Sequence, residues 1–151
     1  MEIREYEEKD CAVLAQLFYD TVHTVNLRDY TVEQADAWAD GAADLDEWNR
    51  SLLSHRTLVA VKGGTIVGFG DMDWTGYLDR LYVHKDHQGQ GVATAICDRL
   101  ERESDADSFT THSSITARPF FERRGYRALC AQTVSRNGVE MTNYVMVKKD
   151  T

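Results

Sequence analysis

The chain has 151 residues, of which 42% are hydrophobic and 28% are charged, and its formal net charge is -8. This length suits one domain with one core, and the composition is ordinary for a globular protein. The negative charge argues against a general nucleic-acid binder, because phosphate contacts need clustered lysine and arginine. An acidic surface would instead favour a cationic substrate such as an amine.

Targeting signals and cysteine patterns narrow the class of protein further. No apolar run approaches the ~20 residues of a membrane span, and the start of the chain does not resemble a signal peptide, so a cytoplasmic protein without a membrane partner is expected. Cys11, Cys97 and Cys130 are odd in number and far apart. They predict neither a disulfide framework nor a zinc site.

The first third of the chain predicts one strand and three helical segments. Residues 2–6 alternate weakly, as in an edge strand. Asp10 is the expected N-cap of a first helix, and Thr31 with Gln34 forms a capping box that opens a short helix ending at Trp38. A third helical piece covers residues 46–54. The first helix should turn four apolar residues inward: Val13, Leu14, Leu17 and Phe18.

The rest of the chain predicts strands interrupted by two helices. Residues 57–61 and 65–72 read as strands joined by a glycine turn, and Asn137-Gly138 is a strong signal for a hairpin turn. Pro119 suits the first turn of a short helix that Gly125 ends. The further predicted elements are strands at 77–83, 108–113, 132–136 and 141–148 and a helix at 118–123.

One stretch organises the chain: a strand, a glycine turn and an amphipathic helix. The strand alternates, with Tyr77, Asp79, Leu81 and Val83 on one predicted face and the residues between them on the other. After the turn, a stripe of apolar residues recurs at helical spacing: Val92, Ile96 and Leu100.

The turn itself, Gln88-Gly89-Gln90-Gly91-Val92-Ala93, is suited to an anion. Glycine lets the backbone approach a ligand closely, and the first N–H groups of a helix have no intrahelical partners. No Gly-Lys-Ser/Thr follows, so this is not a P-loop, and Thr94 replaces the third glycine of a dinucleotide fingerprint. The phosphates of another cofactor are therefore expected here.

This turn resembles the Q/R-x-x-G-x-G/A acetyl-CoA signature of the GCN5-related N-acetyltransferases (GNAT superfamily). A second segment, residues 117–126, is similar to the A-x-x-F/L-Y-x-x-x-G-F segment of that family. The resemblance implies a single domain over residues 1–151 with a mixed α/β fold. Its central, mostly antiparallel and splayed sheet would have about seven strands flanked by helices.

The resemblance also implies the reaction, namely transfer of an acetyl group from acetyl-CoA to a primary amine of a small molecule or peptide within a ternary complex. The strand edge would pair with the pantetheine arm, the turn would hold the pyrophosphate and the two phenylalanines would lie near the thiol. No metal is implied. The cofactor-binding residues would be Leu81, Tyr82, Val83, Gln88, Gly89, Gln90, Gly91, Val92, Ala93, Thr94, Phe120 and Phe121.

The general acid departs from the family pattern, because Phe121 stands where many members have a tyrosine. Water, Tyr82, Tyr126 or a substrate group could protonate the departing thiolate, or it could leave unassisted. Ser114 likewise replaces an asparagine often found three residues before Ala117.

The general base is also open. Some members use a glutamate at the position that aligns with Tyr77, so Asp79, two residues on, is the first candidate, and His112 is the second because its ordinary pKa suits a base. The plain alternative for both is a structural role. Three weaker candidates are His23, Asp71 and Asp73.

The resemblance implies that the helical region builds the acceptor pocket. The sequence of this region has no pattern that indicates which amine is the acceptor. Its candidate lining residues are His23, Tyr30, Trp38, Trp48 and Trp74, for which core packing is the alternative. The segment from His84 to His87 is interpreted as a solvated turn with Lys85 near the CoA phosphates, since its spacing is too thin for a metal site.

Two other functions compete with the enzyme. Phe121 would also fit a catalytically weak acyl-CoA-binding sensor or regulatory module, and the glycine turn would fit a nucleotide-binding protein, although no Mg²⁺-binding serine or lysine accompanies it. The edge of the final hairpin could support pairing of two copies as a homodimer.

Overall fold

The computed structural model describes residues 1–149, so the last two residues of the predicted domain lie outside the described residues. The strands are β1 (Glu2–Glu5), β2 (Arg56–Lys62), β3 (Thr65–Met72), β4 (Tyr77–Val83), β5 (Ser108–Ser114), β6 (Arg127–Arg136) and β7 (Val139–Lys149). The α-helices are α1 (Cys11–Val22), α2 (Val32–Trp38), α3 (Leu45–Ser54), α4 (Val92–Arg102) and α5 (Arg118–Arg123). Within this part of the chain, none of the helices is long and apolar enough to span a membrane.

All seven strands form a single sheet in the order β1-β2-β3-β4-β5-β7-β6. Neighbouring strands are antiparallel except β4 and β5, which are parallel because α4 crosses over between them. The predicted fold class, mixed α/β with a mostly antiparallel sheet flanked by helices, is confirmed. The prediction of one domain over the whole chain stays a prediction.

The sheet splays at its parallel pair. β4 and β5 are joined only through Tyr77 with Thr110 and Leu78 with Thr111, and the rest of each strand pairs with its other neighbour. The His84 amide donates to Val67 of β3, so the alternation of an antiparallel ladder turns the N–H and C=O groups of Leu81 and Val83 away from β3. The splay therefore leaves a strand edge facing a gap.

A β-bulge interrupts β4 at Asp79. The register runs from Asp71 opposite Arg80 directly to Met72 opposite Leu78, so Asp79 is an extra residue that lacks a cross-strand partner in β3. The predicted alternation is therefore wrong. Residues on the two sides of the bulge change faces: Leu78 packs in the same core as Leu81 and Val83, although strict alternation would put it on the opposite face.

Helices cover both faces of the sheet. On one face, α4 packs closely on β3, where a Cβ on Gly68 would come within 2.8 Å of the side chain of Val92 and one on Gly70 within 3.0 Å of that of Ile96. The glycines of β3 thus serve a close helix approach. The other face is covered by α1 and α3, whose side chains pack around Phe69.

The N-terminal segment differs from the prediction in detail. The Asp10 carboxylate does not cap α1; it accepts hydrogen bonds from the Glu7 amide and the Arg4 guanidinium and so ties β1 to the turn before α1. Val13 is 47% exposed rather than inward-facing, whereas Leu14 and Leu17 are buried. The capping box of Thr31 and Gln34 forms as predicted.

Candidate active site

A cavity of about 780 Å³ opens where β4 and β5 part. Its wall includes the open edge of β4, the turn before α4, the end of β5 and the first turn of α5. All of the predicted cofactor residues except Gln90 line it: Leu81, Tyr82, Val83, Gln88, Gly89, Gly91, Val92, Ala93, Thr94, Phe120 and Phe121. The Gln90 side chain instead accepts a hydrogen bond from Lys62 at 3.2 Å.

The glycine turn has the geometry of an anion cradle. Gly89 and Gly91 have φ values of 70° and 82°, and a Cβ built on either would meet no atom within 4 Å. Gly91 caps α4, whose first hydrogen bond runs from the Ala95 amide to the Gly91 carbonyl. The amides of residues 92–94 therefore have no intrahelical acceptor, and the helix dipole adds positive potential in front of them. A diphosphate fits these features.

Side chains hold the turn and add charge beside it. The Gln88 amide donates to the Val83 carbonyl at 2.6 Å and so ties the turn to the end of β4. Arg123 and Arg124 of the α5 region line the cavity, and Arg124 is fixed by Asp98 at 2.8 Å. Lys85, which was predicted near the phosphates, is not part of the cavity wall. The pair of arginines after Phe120-Phe121 is the signal that could have indicated a basic wall.

Two tyrosines, Tyr82 and Tyr126, are candidates to protonate the departing thiolate, and they lie in different surroundings. Phe121 is buried against Phe120 and Tyr126, at ring distances of 5.2 and 5.1 Å. The Tyr126 hydroxyl donates to Glu101 at 3.1 Å, and Tyr126 does not line the cavity. Tyr82 does line it, and burial raises the pKa of Tyr82, so its hydroxyl stays protonated at neutral pH. Of these two tyrosines, only Tyr82 lines the cavity.

Asp79 lies on the bulge of β4 and lines the same cavity. Its side chain is 35% exposed, and the Nη1 atom of Arg80 is 3.6 Å from its carboxylate. Burial, together with the negative charge of Asp71, raises the pKa of Asp79. A carboxylate with a raised pKa at a cavity wall has the chemistry of a general base.

Of the other candidate bases, His112 lines the cavity wall, whereas Asp73 and Asp71 do not. The His112 ring packs edge-on against the Tyr77 ring, with 5.3 Å between the ring centres. Asp73 holds the turn before β4 through hydrogen bonds from Thr75 and the Tyr77 amide. Asp71 lies behind Asp79, fully buried in β3.

The structure brings only one of the five candidate acceptor residues to the cavity, namely Trp38. His23 is turned to Asp36, with 2.9 Å between Nε2 and Oδ1, and the Tyr30 hydroxyl is buried between the Thr142 carbonyl and the Ile115 amide. Trp74 is 81% exposed in the turn before β4 and does not line the cavity. Trp48, the fifth aromatic candidate, packs on Phe18.

Another part of the cavity wall is built by the end of α1 and the segment after it. This part is lined by Thr21, Val25, Asn26 and Arg28 together with Trp38. Asn26 is buried, whereas Arg28 is at the rim with 73% of its side chain exposed. The sequence analysis missed them because this segment has no helical or strand period that would mark it.

A family model described as an acetyltransferase (GNAT) domain matches residues 26–148. The chain belongs to the GNAT acetyltransferase family. A GNAT structure from Rhodopseudomonas palustris, described as a GCN5-related N-acetyltransferase, superposes with a TM-score of 0.94 and 36% identity, covering 98% of this chain and 94% of that one.

Two curated proteins of Escherichia coli K12 resemble this GNAT chain. The uncharacterized N-acetyltransferase YafP is 32% identical over 146 residues, which are 97% of this chain and 94% of YafP. The L-amino acid N-acyltransferase MnaT is 30% identical over 117 residues, which are 69% of this chain and 63% of MnaT. The resemblance drawn from the two sequence motifs is thereby confirmed at the level of the family.

Proposed function

We propose that the protein is an N-acetyltransferase that moves an acetyl group from acetyl-CoA to a primary amine by direct attack in a ternary complex. One observation carries the proposal: a single cavity joins the amide cradle before α4, the open edge of β4 and the carboxylate of Asp79. Membership of the family and the names of the relatives support it.

The cavity offers a place for each part of acetyl-CoA. The amides of residues 92–94 would bind the diphosphate, and the N–H and C=O groups of Leu81 with the N–H of Val83 would pair with the pantetheine amides as a neighbouring strand does. Phe120 and Phe121 would cover the apolar part of the arm. This pairing uses backbone groups that the splay of the sheet leaves available.

The chemistry needs proton transfers before and during the acyl transfer. Asp79 would first accept a proton from the acceptor ammonium, directly or through water, and so give a neutral amine. As the amine nitrogen bonds to the thioester carbonyl carbon and the carbon–sulfur bond breaks, the nitrogen would lose its second proton to water. Tyr82, or water, would return a proton to the departing sulfur. A neutral tyrosine beside an ionised carboxylate at one cavity wall is the arrangement that these opposite transfers require.

An L-amino acid is the acceptor class to test first. MnaT is named for L-amino acids, and the acceptor end of this cavity has Asn26 and Arg28, whose amide and guanidinium could hold a carboxylate. Asp79, farther in, would face the ammonium.

The experiment is release of CoA thiol from acetyl-CoA with a panel of L-amino acids and their decarboxylated amines. We expect turnover that depends on the amine, and in Arg28→Gln about a tenfold higher KM for an amino acid with little change for its decarboxylated analogue. An equal effect of Arg28→Gln on both compounds would exclude a carboxylate contact at that residue.

The competing function is an acyl-CoA-binding sensor, which the phenylalanine at position 121 favours. Calorimetry with acetyl-CoA separates the two. Tight binding without CoA release in the presence of any amine of the panel would favour the sensor, and the absence of binding would contradict both functions.

A further inference from the structure

A chain of charged groups lies behind the cavity wall at Asp79. Asp71 of β3 is fully buried, and the same oxygen of its carboxylate, Oδ2, is 2.7 Å from His55 Nδ1 and 2.5 Å from Arg80 Nη1. His55 follows α3 and keeps only 20% of its side-chain exposure. A buried carboxylate has no access to water, so its charge is stabilised only by the groups that donate hydrogen bonds to it. His55 and Arg80 are therefore held in place by Asp71.

The bulge of β4 connects this chain to the cavity. Because Asp79 is an extra residue next to Arg80, its carboxylate lies 3.6 Å from the same Nη1 atom that bonds to Asp71. One ligand-type atom each of His55, Asp71 and Asp79 lies within 4.8 Å of the others. Arg80 is thus shared between a buried carboxylate and one at the cavity wall.

Arg80 is held by two further contacts. Its Nη2 donates to the Ser51 hydroxyl at 2.8 Å, and its guanidinium lies 5.0 Å from the ring centre of Trp48. The cation between the two carboxylates is therefore the guanidinium of Arg80, already in place, with His55 as the second positive group when it is protonated. The cluster is an ion-pair network of two acids and two bases.

We propose that His55 and Asp71 are positioning residues of the acceptor site, which hold the Arg80 guanidinium beside the Asp79 carboxylate. The proposal deepens the proposed function and rests on it for the role of Asp79 as base. Neither residue touches the cavity, so each acts through Arg80 and Asp79 rather than on the substrate.

The network makes the charge of Asp79 depend on His55. The groups that face Asp79 are His55 from the segment before β2, Asp71 from β3, Asp73 from the turn after β3, and Tyr77 and Arg80 from β4. The hydrogen bond with Asp71 raises the pKa of His55, so His55 is cationic at the acidic pH where Asp79 titrates. Its positive charge then lowers the pKa of Asp79, and loss of that charge would raise it.

The test is His55→Asn, whose side-chain amide can replace the donor to Asp71 without the charge. Carboxyl ¹³C NMR of the protein alone should report an Asp79 pKa about one unit higher than in the wild type, given a separation near 5 Å in partly solvated surroundings. His23→Asn is the matched control, since His23 also pairs with an aspartate but lies away from Asp79, and it should leave the Asp79 titration in place. An unchanged Asp79 titration in His55→Asn overturns the proposal.

A reciprocal variant covers the case in which His55→Asn does not fold. Coupling between two sites is symmetric, so Asp79→Asn should lower the pKa of the His55 ring by about the same one unit. The ring resonances of His55 report this directly, and an unmoved His55 titration would overturn the proposal as well.

Activity then separates the two claims. With an active amine, the acid limb of kcat/KM in His55→Asn should move to higher pH by the shift that NMR measures for Asp79. If no amine is acetylated but the NMR linkage is present, the proposed function fails and the positioning network stands. If amines are acetylated and the acid limb stays where the wild type has it, the network has no part in the reaction and the proposal fails alone.

Discussion

Asp79 combines access to the cavity with a raised pKa, which burial and the charge of Asp71 cause. If it takes the proton of the acceptor ammonium, Asp79→Asn should lower kcat/KM by about 10²–10⁴-fold and remove the acid limb of the pH–rate profile. Asp79→Glu should keep the limb, since it keeps a carboxylate. A limb that persists in Asp79→Asn would assign the titration to another group.

The two tyrosines near the expected thiol form a matched pair of variants. Tyr82 lines the cavity and is kept neutral by burial, whereas Tyr126 donates to Glu101 on the other face of the sheet. We expect Tyr82→Phe to lower kcat by about 10²-fold if its hydroxyl protonates the sulfur. Tyr126→Phe should lose stability but keep kcat. Equal kcat values in the two variants would indicate that water, rather than Tyr82, protonates the departing sulfur.

At the scale of single residues, sequence reasoning found the groups of the cofactor turn but not the network behind Asp79. The turn is local, so its glycines and helix start are adjacent in sequence. His55 and Asp71 are 16 residues apart and meet only through the register of β2 with β3. The available signal was a charged residue between Phe69 and Met72 in a strand of otherwise uncharged residues, which requires a buried partner.

The proposed function makes the binding of acetyl-CoA depend on the glycine turn before α4. Gly91 and Gly64 have nearly equal φ values, 82° and 80°, and a Cβ would meet no protein atom at either, but only Gly91 lines the cavity. An alanine in this conformation costs about 1 kcal/mol, so both substitutions should lower the melting temperature by about 2–4 °C. Only Gly91→Ala should raise the KM for acetyl-CoA, by about tenfold or more. Equal KM values for acetyl-CoA in the two variants would show that the diphosphate does not bind at this turn.

The segment that joins β1 to α1 is held by a largely buried ion pair. Burial alone would raise the pKa of Asp10, but hydrogen bonds from Arg4 and the Glu7 amide outweigh it and hold the pKa below its usual value. A depressed pKa stabilises the fold above the pKa of the unfolded chain, and this contribution is lost as the pH falls through the folded value.

Thermal melts of Asp10→Asn test this ion pair. The variant should be less stable than the wild type by about 2 kcal/mol at pH 7, and the difference should shrink below about pH 4. The exposed pair of Lys9 and Glu7 provides the control, because Lys9→Gln should leave the melting temperature within about a degree. A difference for Asp10→Asn that is the same at pH 7 and pH 3 would contradict the assignment.

Elements were predictable where their signals are local. The capping box of α2, the apolar stripe of α4 and the Asn137-Gly138 turn all form where their residues predict. The bulge of β4 and the length of β6 were not predictable. No glycine or other turn residue marks the bulge at Asp79 in the sequence. Strand β6 begins at Arg127, and its largely exposed residues show no regular alternation of buried and exposed positions.

The site as a whole arises from topology rather than from any one element. α4 crosses over from β4 to β5 and makes them the parallel pair of the sheet, and their brief contact lets the sheet splay beside the turn that begins α4. The crossover therefore brings the anion cradle and the open strand edge together. Sequence pattern predicts the strands but not the extent of their pairing, which depends on twist and on the helices packed against both faces.

Charge at the scale of the molecule opposes an anionic ligand, since the formal net charge is -8. Under the proposed function, the affinity for acetyl-CoA would come from local contacts: the amides at the start of α4, the arginines of the α5 region and the strand edge of β4. ATP has phosphates but no pantetheine arm, so it can use the amides but not the edge of β4. Acetyl-CoA should bind much more tightly than ATP.

Thermal shift measures this difference on the intact protein. A ligand present at about 100 times its Kd stabilises the folded state by about 2.7 kcal/mol, which for a chain of this size raises the melting temperature by about 5–10 °C. We expect such a rise with acetyl-CoA, a much smaller one with the same concentration of ATP, and loss of most of the acetyl-CoA effect in Gly91→Ala but not in Gly64→Ala. Equal shifts for the two ligands would place the binding energy in the phosphates alone and would favour the nucleotide-binding alternative, because the open edge of β4 would then contribute nothing.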